Sequence, residues 1–169
     1  MNDDPGFQFD SSTIENDFLI LKLDIPLTFK SDVQPACLPP SMSYLGLTSS
    51  AEQCFTSGWG RTQSGSFQKP DVCQYVRIPT VSTAVCKSFY GSSITDAMIC
   101  GGYIGVGEKS PCSGDSGGPF VCNNGGKAVI AGVVSWGPRV CELPVPHAYA
   151  RVTHVLDWIK SHMVSYMYQ

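Results

Sequence analysis

Charge is scarce in this chain: only 15% of its 169 residues are Asp, Glu, Lys or Arg, and they form no run of one sign. With a formal net charge of −3 and no basic stripe, nothing draws the chain to nucleic acid or to an anionic membrane, and neither is expected as a partner. Long apolar runs are missing too. No stretch approaches the roughly 18 residues that a spanning helix requires, so no membrane segment is expected. Met1 is followed by Asn2, Asp3 and Asp4, where an export leader would be basic and then apolar, so no signal peptide is visible. CxxC and HxxxH spacings are absent as well, and with them the pattern of a zinc site; no metal and no cofactor is expected.

Cysteine, by contrast, is plentiful. Eight of them (Cys37, Cys54, Cys73, Cys86, Cys100, Cys112, Cys122 and Cys141) are many for a reducing compartment, so disulfides and an extracellular, secreted protein are expected. A segment upstream of Met1 would reconcile these cysteines with the missing export signal. At 43% hydrophobic residues the chain can bury the core of one ordinary domain.

Phe18 to Leu23 (FLILKL), bounded by Asp17 and Pro26, reads as a buried strand. Further strands are expected at Cys54 to Trp59, Tyr75 to Ile78, Pro119 to Cys122, Ala128 to Trp136 and Ala148 to Val152, separated by segments rich in Gly, Pro, Ser and Asn. Many short strands between turn signals predict an all-β sandwich or barrel. Two helices interrupt them. Val155, Leu156, Trp158, Ile159 and Met163 recur at helical spacing behind a Thr153 cap, and a shorter helix spans Ser82 to Phe89, capped by Ser82 or Thr83 and stopped by Gly91. The first fifty residues hold one strand and look like the edge of something larger.

The segment Cys112 to Pro119, CSGDSGGP, carries the chemistry. A serine nucleophile needs a rigid, exposed turn whose backbone N–H groups converge on one spot, with small neighbours that let a carbonyl approach. Glycines at 114, 117 and 118 around Asp115 and Ser116 meet both needs. A bland Gly/Ser loop is the usual meaning of a short GxSxG-like match, and the length of this string argues against it.

At this string the sequence resembles the trypsin and chymotrypsin serine protease family, and the likeness runs over nearly the whole chain. Asn16, Asp17 and LILKL resemble the family's buried-aspartate segment; Pro35 to Pro39 (PACLP), its interbarrel linker; Ser57 to Gly60 (SGWG), the start of its second barrel. Val134 to Gly137 (VSWG) and Tyr149 to Val152 (YARV) resemble its substrate-binding strand and its ending, in matching order. The resemblance implies an all-β, trypsin-like double-barrel fold, here one near-complete second barrel (51–152), a first-barrel remnant and linker (1–50) and a terminal helix (153–165). It implies a serine endopeptidase in which Ser116 is the nucleophile, Asp17 orients the histidine base, and the N–H groups of Gly114 and Ser116 form the oxyanion hole. Polypeptide substrates and protein protease inhibitors are the implied partners. It also implies disulfides Cys54–Cys122, Cys86–Cys100 and Cys112–Cys141, with Cys37 and Cys73 left for partners upstream of Met1.

Two parts of the family's machinery have no counterpart in these residues. No histidine lies between Met1 and Asn16, where the family carries its base; His147, His154 and His162 all follow the serine. The family's new N-terminal ammonium, which pairs with the aspartate before the nucleophile, is not found either. Asp115 would then lack its charge partner and leave the oxyanion loop in an inactive arrangement. This chain alone is expected to be inactive, and the alternative is a secreted, noncatalytic homologue that acts as a binding or regulatory module. For specificity, the resemblance places Ser110 at the bottom of the primary pocket, with Ser135, Trp136 and Gly137 along its side and His147 in its wall. With no carboxylate at Ser110, cleavage after Arg or Lys is disfavoured. An inward His147 would favour small or acidic side chains, while the Pro144 to Pro146 loop could equally turn it outward.

Overall fold

Residues 54–58 alternate in burial, Cys54 and Thr56 inward and Phe55 outward, as a strand with one wet face must. This strand, β1 (Cys54–Gly58), opens the architecture of a computed structural model that describes residues 7–41, 54–105, 110–141 and 143–167, with side chains up to Met163. It is followed by β2 (Gln74–Arg77), β3 (Thr80–Val81), α1 (Thr83–Tyr90), β4 (Met98–Gly101), β5 (Pro119–Asn124), β6 (Lys127–Trp136), β7 (His147–Arg151) and α2 (Leu156–Met167).

All seven strands join in one antiparallel sheet ordered β2-β1-β5-β6-β7-β4-β3. Its two edge strands are separated in the chain by only Ile78 and Pro79, so the sheet curls until its edges nearly meet. That curl is the barrel, and β-bulges at Phe120/Val121 and between Val134 and Trp136 supply part of the bending. Inside it Phe120 stacks on Tyr149 with ring centroids 4.2 Å apart, packed with Ile78, Ile99, Ala131 and Val134. Each buried Phe, Ile or Val among them contributes roughly 1.5–3 kcal/mol. A second cluster around Cys86, Ile94, Met98 and Cys100 seats α1 on the barrel.

The disulfides are Cys54–Cys122, Cys86–Cys100 and Cys112–Cys141, the three pairs implied by the resemblance. Cys37 and Cys73 are exposed free thiols. The cap of α1 is as its sequence predicts: Ser82 accepts from the Val85 N–H, and Gly91 ends the helix.

Elsewhere the structure differs from expectation. Residues 18–23 form no strand, and Leu19, Leu21 and Leu23 are 67%, 75% and 54% exposed. Among the described residues no neighbouring strand pairs with them, and a strand cannot bury its apolar face without one. Thr153 does not cap the terminal helix; it is buried in a 3-10 turn, Val152–Val155, that leads into α2. The helix docks through Leu156 and Trp158, with Val155 buried just ahead of it, while Met163 is left outside. Strands β3 and β4 were not expected: β3 is only two residues long, and all four residues of β4 are buried, so it shows no alternation.

Candidate active site

The turn at 112–118 is shaped by its own backbone. The Asp115 N–H donates to the Cys112 carbonyl, Gly118 N–H to the Asp115 carbonyl, and Gly117 N–H to Val134 of β6, which in turn donates to Gly118. Gly114 adopts φ 103°, a conformation closed to most side chains, so only glycine serves there. Among the described residues, the N–H groups of Gly114 and Ser116 are the two in the stretch 114–118 that donate to no acceptor. They lie on either side of Asp115, and Ser116 itself is exposed.

Asp115 locks this turn from behind. Its carboxylate accepts from the Gly60 N–H at 2.7 Å and the Cys112 N–H at 2.9 Å. A Cβ on Gly58 or Gly60 would stand 2.2 or 2.4 Å from carboxyl atoms of Asp115, so both glycines of SGWG are required for the carboxylate to fit. By its sequence SGWG marks only the start of a barrel; its role as a cradle depends on a contact across 55 residues. Among the described residues no cation pairs with Asp115, but two backbone donors hold it. Beside it opens a cavity of about 670 Å³ lined by Gly58, Gly60, Gln74, Tyr75, Ser110 and Asp115, among others. Lys69, which the sequence does not single out, ends close to the turn: a Cβ on Gly114 would lie 3.5 Å from its Nζ.

Asp17 comes from the other end of the chain to the same place. A turn closed by the Asp10–Glu15 bridge, with Ile14 and Asn16 both in the left-handed region, delivers it to β6. There the Ser135 hydroxyl donates to Asp17 Oδ2 at 2.7 Å. Ser135 follows Val134, the residue that anchors the Ser116 turn, so the nucleophile loop and the acid share one stretch of β6. The expected role of Ser135 in the pocket wall is thereby narrowed, because its side chain is turned to Asp17. Asp17 Oδ1 accepts no hydrogen bond among the described residues.

The remaining pocket residues separate. Ser110 lines the Asp115 cavity and donates its hydroxyl to the Cys141 carbonyl. Trp136 meets Tyr90 edge-on at 5.0 Å, and its indole Nε1 is buried without a partner among the described residues. His147 is 5% exposed and presses on Gly137, where a Cβ would lie 2.2 Å from Nδ1. Its ring therefore points inward. Burial pushes its pKa down to about 4, only partly offset by the Cys141 carbonyl. Burial, and then Asp115, raise the phenol of Tyr149 well above its usual range. No histidine hydrogen-bonds Ser116 or Asp17 among the described residues; His162 turns Nδ1 to the Trp158 carbonyl at 2.9 Å.

These positions can be compared with known proteins. The family model described as Trypsin matches residues 6–159. The chain belongs to the trypsin family. Trypsin-2 of Salmo salar is 40% identical over 158 residues, which cover 94% of this chain and 64% of that protein. The Trypsin of Sus scrofa is 38% identical over 152 residues, 90% of this chain and 62% of its own length. Transmembrane protease serine 9 of Rattus norvegicus is 40% identical over 152 residues, 89% of this chain and 14% of that protein. The chain thus spans under two thirds of the trypsins it matches. As in the trypsin family's all-β fold, the curled sheet and the terminal helix are both present.

Proposed function

We propose that this chain carries the nucleophile half of a secreted serine endopeptidase that cleaves polypeptides through an acyl-enzyme. The observation that carries this reading is the pair of unengaged N–H groups, Gly114 and Ser116, on either side of Asp115 and beside an exposed serine hydroxyl. Ser116 Oγ attacks the scissile carbonyl, and the oxygen that becomes negative is received by those two donors. Donors fixed in advance stabilise charge that exists only in the transition state, each contributing roughly 3–4 kcal/mol. Asp17, held at Oδ2 by Ser135 and free at Oδ1, is suited to accept Nδ1–H of an imidazole and keep its Nε2 turned to the serine. That imidazole is not one of the three histidines here, and we place it outside these 169 residues.

Asp115 is the partner for an incoming ammonium in this reading. Its carboxylate borders the cavity lined by Gly58, Gly60 and Gln74, and a charged amine entering there would fix the oxyanion turn. Three disulfides and membership of the trypsin family support an extracellular site of action, with polypeptides and protein protease inhibitors as partners.

The test is labelling by an organophosphonate, on the 169-residue chain and on the longest reading frame of its transcript. The expected outcome is phosphonylation of Ser116 in the longer form, absent in Ser116→Ala and strongly reduced in Asp115→Asn. A folded, disulfide-bonded long form that has been cleaved to free a new N-terminal ammonium and is still not labelled would replace this reading with a noncatalytic binding module.

A further inference from the structure

Away from Ser116, the hairpin that joins β5 to β6 carries chemistry of its own. Its tip is Asn123-Asn124-Gly125-Gly126, and all four residues are exposed. Asn124 pairs with Lys127 and Asn123 with Ala128, so the connection itself is the two glycines. Their φ values of 57° and 84° lie in the left-handed region, as a two-residue hairpin turn of this kind requires and as glycine adopts without strain.

An asparagine followed by glycine is chemically unstable in water, because the backbone nitrogen of the glycine can reach the carboxamide carbon and close a five-membered imide. A folded chain prevents this by hydrogen-bonding the carboxamide, by engaging the next N–H, or by placing a bulky side chain after the asparagine. Asn124 has none of these protections. Its side chain makes no hydrogen bond among the described residues, and the Gly125 N–H donates to no acceptor among them. Even a Cβ on Gly125 would meet nothing within 4 Å, so the turn stands open to solvent. Its neighbours differ. Asn123 Oδ1 accepts from the Gly126 N–H at 2.8 Å, and Asn16 donates its Nδ2 to the Gln8 carbonyl at 3.1 Å; neither precedes a glycine.

We propose that Asn124 is a spontaneous modification site, whose carboxamide is converted through Gly125 into aspartate and isoaspartate. The Gly125 nitrogen gives its proton to hydroxide and bonds to Asn124 Cγ; the Cγ–Nδ2 bond breaks, and ammonia leaves with a proton taken from water. One water then opens the imide, giving aspartate when it adds at the side-chain carbonyl and isoaspartate when it adds at the main-chain carbonyl. The two products differ in what they do to the hairpin. Aspartate keeps the ladder and faces Lys127 across it. Isoaspartate inserts an extra backbone atom into β5 beside the turn, so the pairs Asn124–Lys127 and Asn123–Ala128 lose their register. Ala128 and Ile130 are the residues that bond the Cys37 backbone, and isoaspartate therefore loosens the Cys37 segment from β6.

The disulfide-bonded 169-residue chain is held at 37 °C at pH 8.5 and pH 6.5, then digested, and its 110–127 peptide is read by mass spectrometry beside the same peptide free in solution. Asn124 is expected to convert about tenfold or more faster than Asn16 or Asn123, faster at the higher pH, and within about tenfold of the free peptide. Methylation by an isoaspartyl methyltransferase identifies the isoaspartate product. Gly125→Asp, which tolerates a left-handed φ, should slow the conversion about tenfold. An Asn124 that stays intact in the folded chain while the free peptide converts overturns the proposal, whether or not that variant folds. So does conversion of Asn16 or Asn123 at an equal rate, or a folded Gly125→Asp variant that converts as fast as wild type. Hydrogen exchange at the Ile130 N–H should be faster in the isoaspartate form than in the aspartate form, and equal exchange would overturn the loosening of Cys37.

Discussion

Two stretches of this chain carry the apolar residues of a half-buried strand, and they meet opposite fates. In β6, Val129, Ala131 and Val134 are 3%, 0% and 8% exposed. Between residues 18 and 30, Leu19, Leu21, Leu23, Ile25, Leu27 and Phe29 occur at every second position, yet all are more than half exposed. The second row is the more regular of the two. What separates them is the ladder: β6 lies between β5 and β7, whereas among the described residues 18–29 has no strand beside it. Period-two patterning gives a chain the capacity to form a half-buried strand, and the burial itself comes from neighbours. The first region is held to the barrel at separate points. Phe7 stacks on Trp158 at 4.2 Å, Asp17 accepts from Ser135, and the Cys37 backbone bridges Ala128 and Ile130.

This contrast can be broken by mutation. Phe120→Ala, which empties a fully buried ring site against Tyr149, should cost about 3–5 kcal/mol in denaturant unfolding. A cost below roughly 1 kcal/mol would mean that the barrel core is not packed as described. Replacing Cys54 and Cys122 together by alanine opens a bridge across 68 positions of sequence and should cost about 2–5 kcal/mol, whereas Cys37→Ser should leave the melting curve unchanged.

Acid should act on the barrel through His147. Its pKa is lowered from 6.5 to about 4 by burial, so on acidification the unfolded chain takes up a proton before the folded one does. The stabilisation from keeping it neutral is complete above pH 6.5 and is lost progressively down to about pH 4, on the order of 3 kcal/mol in all. Urea unfolding at pH 7.5, 5.5 and 4 measures it, and a folded His147→Ala variant should lose that part of the slope. The link between the two regions is weaker. Ser135→Ala removes one hydrogen bond to Asp17, worth about 1 kcal/mol, and should speed proteolytic nicking between Lys22 and Lys30 roughly fivefold. Smallest of all, Leu21→Ala should change stability by less than about 0.5 kcal/mol, because a side chain 75% exposed loses little. A larger loss would show that the row at 18–29 is covered.

The local features were legible without coordinates. CSGDSGGP marks the turn proposed to carry the nucleophile, Ser82 and Gly91 bracket α1, and five of the seven strands among the described residues fall within a residue or two of their apolar runs. Each of these depends on neighbours in sequence, where capping, turn conformation and side-chain alternation act. The disulfide pairs came from family resemblance, since eight cysteines alone allow 105 connectivities.

Tertiary structure decided the rest. No pattern within FLILKL says whether a strand lies next to it. Nothing in SGWG announces that its glycines receive the carboxylate of Asp115, and a histidine between proline-rich turns can face either way until Gly137 is set opposite it. The amino-acid sequence by itself determined most of the elements and the glycine-rich turn at Ser116, because those arise from local conformational preference. Which surfaces they bury, and which way Asp17, Ser135 and His147 point, was settled only where segments far apart in the chain came into contact, because desolvation and hydrogen bonding depend on every atom nearby.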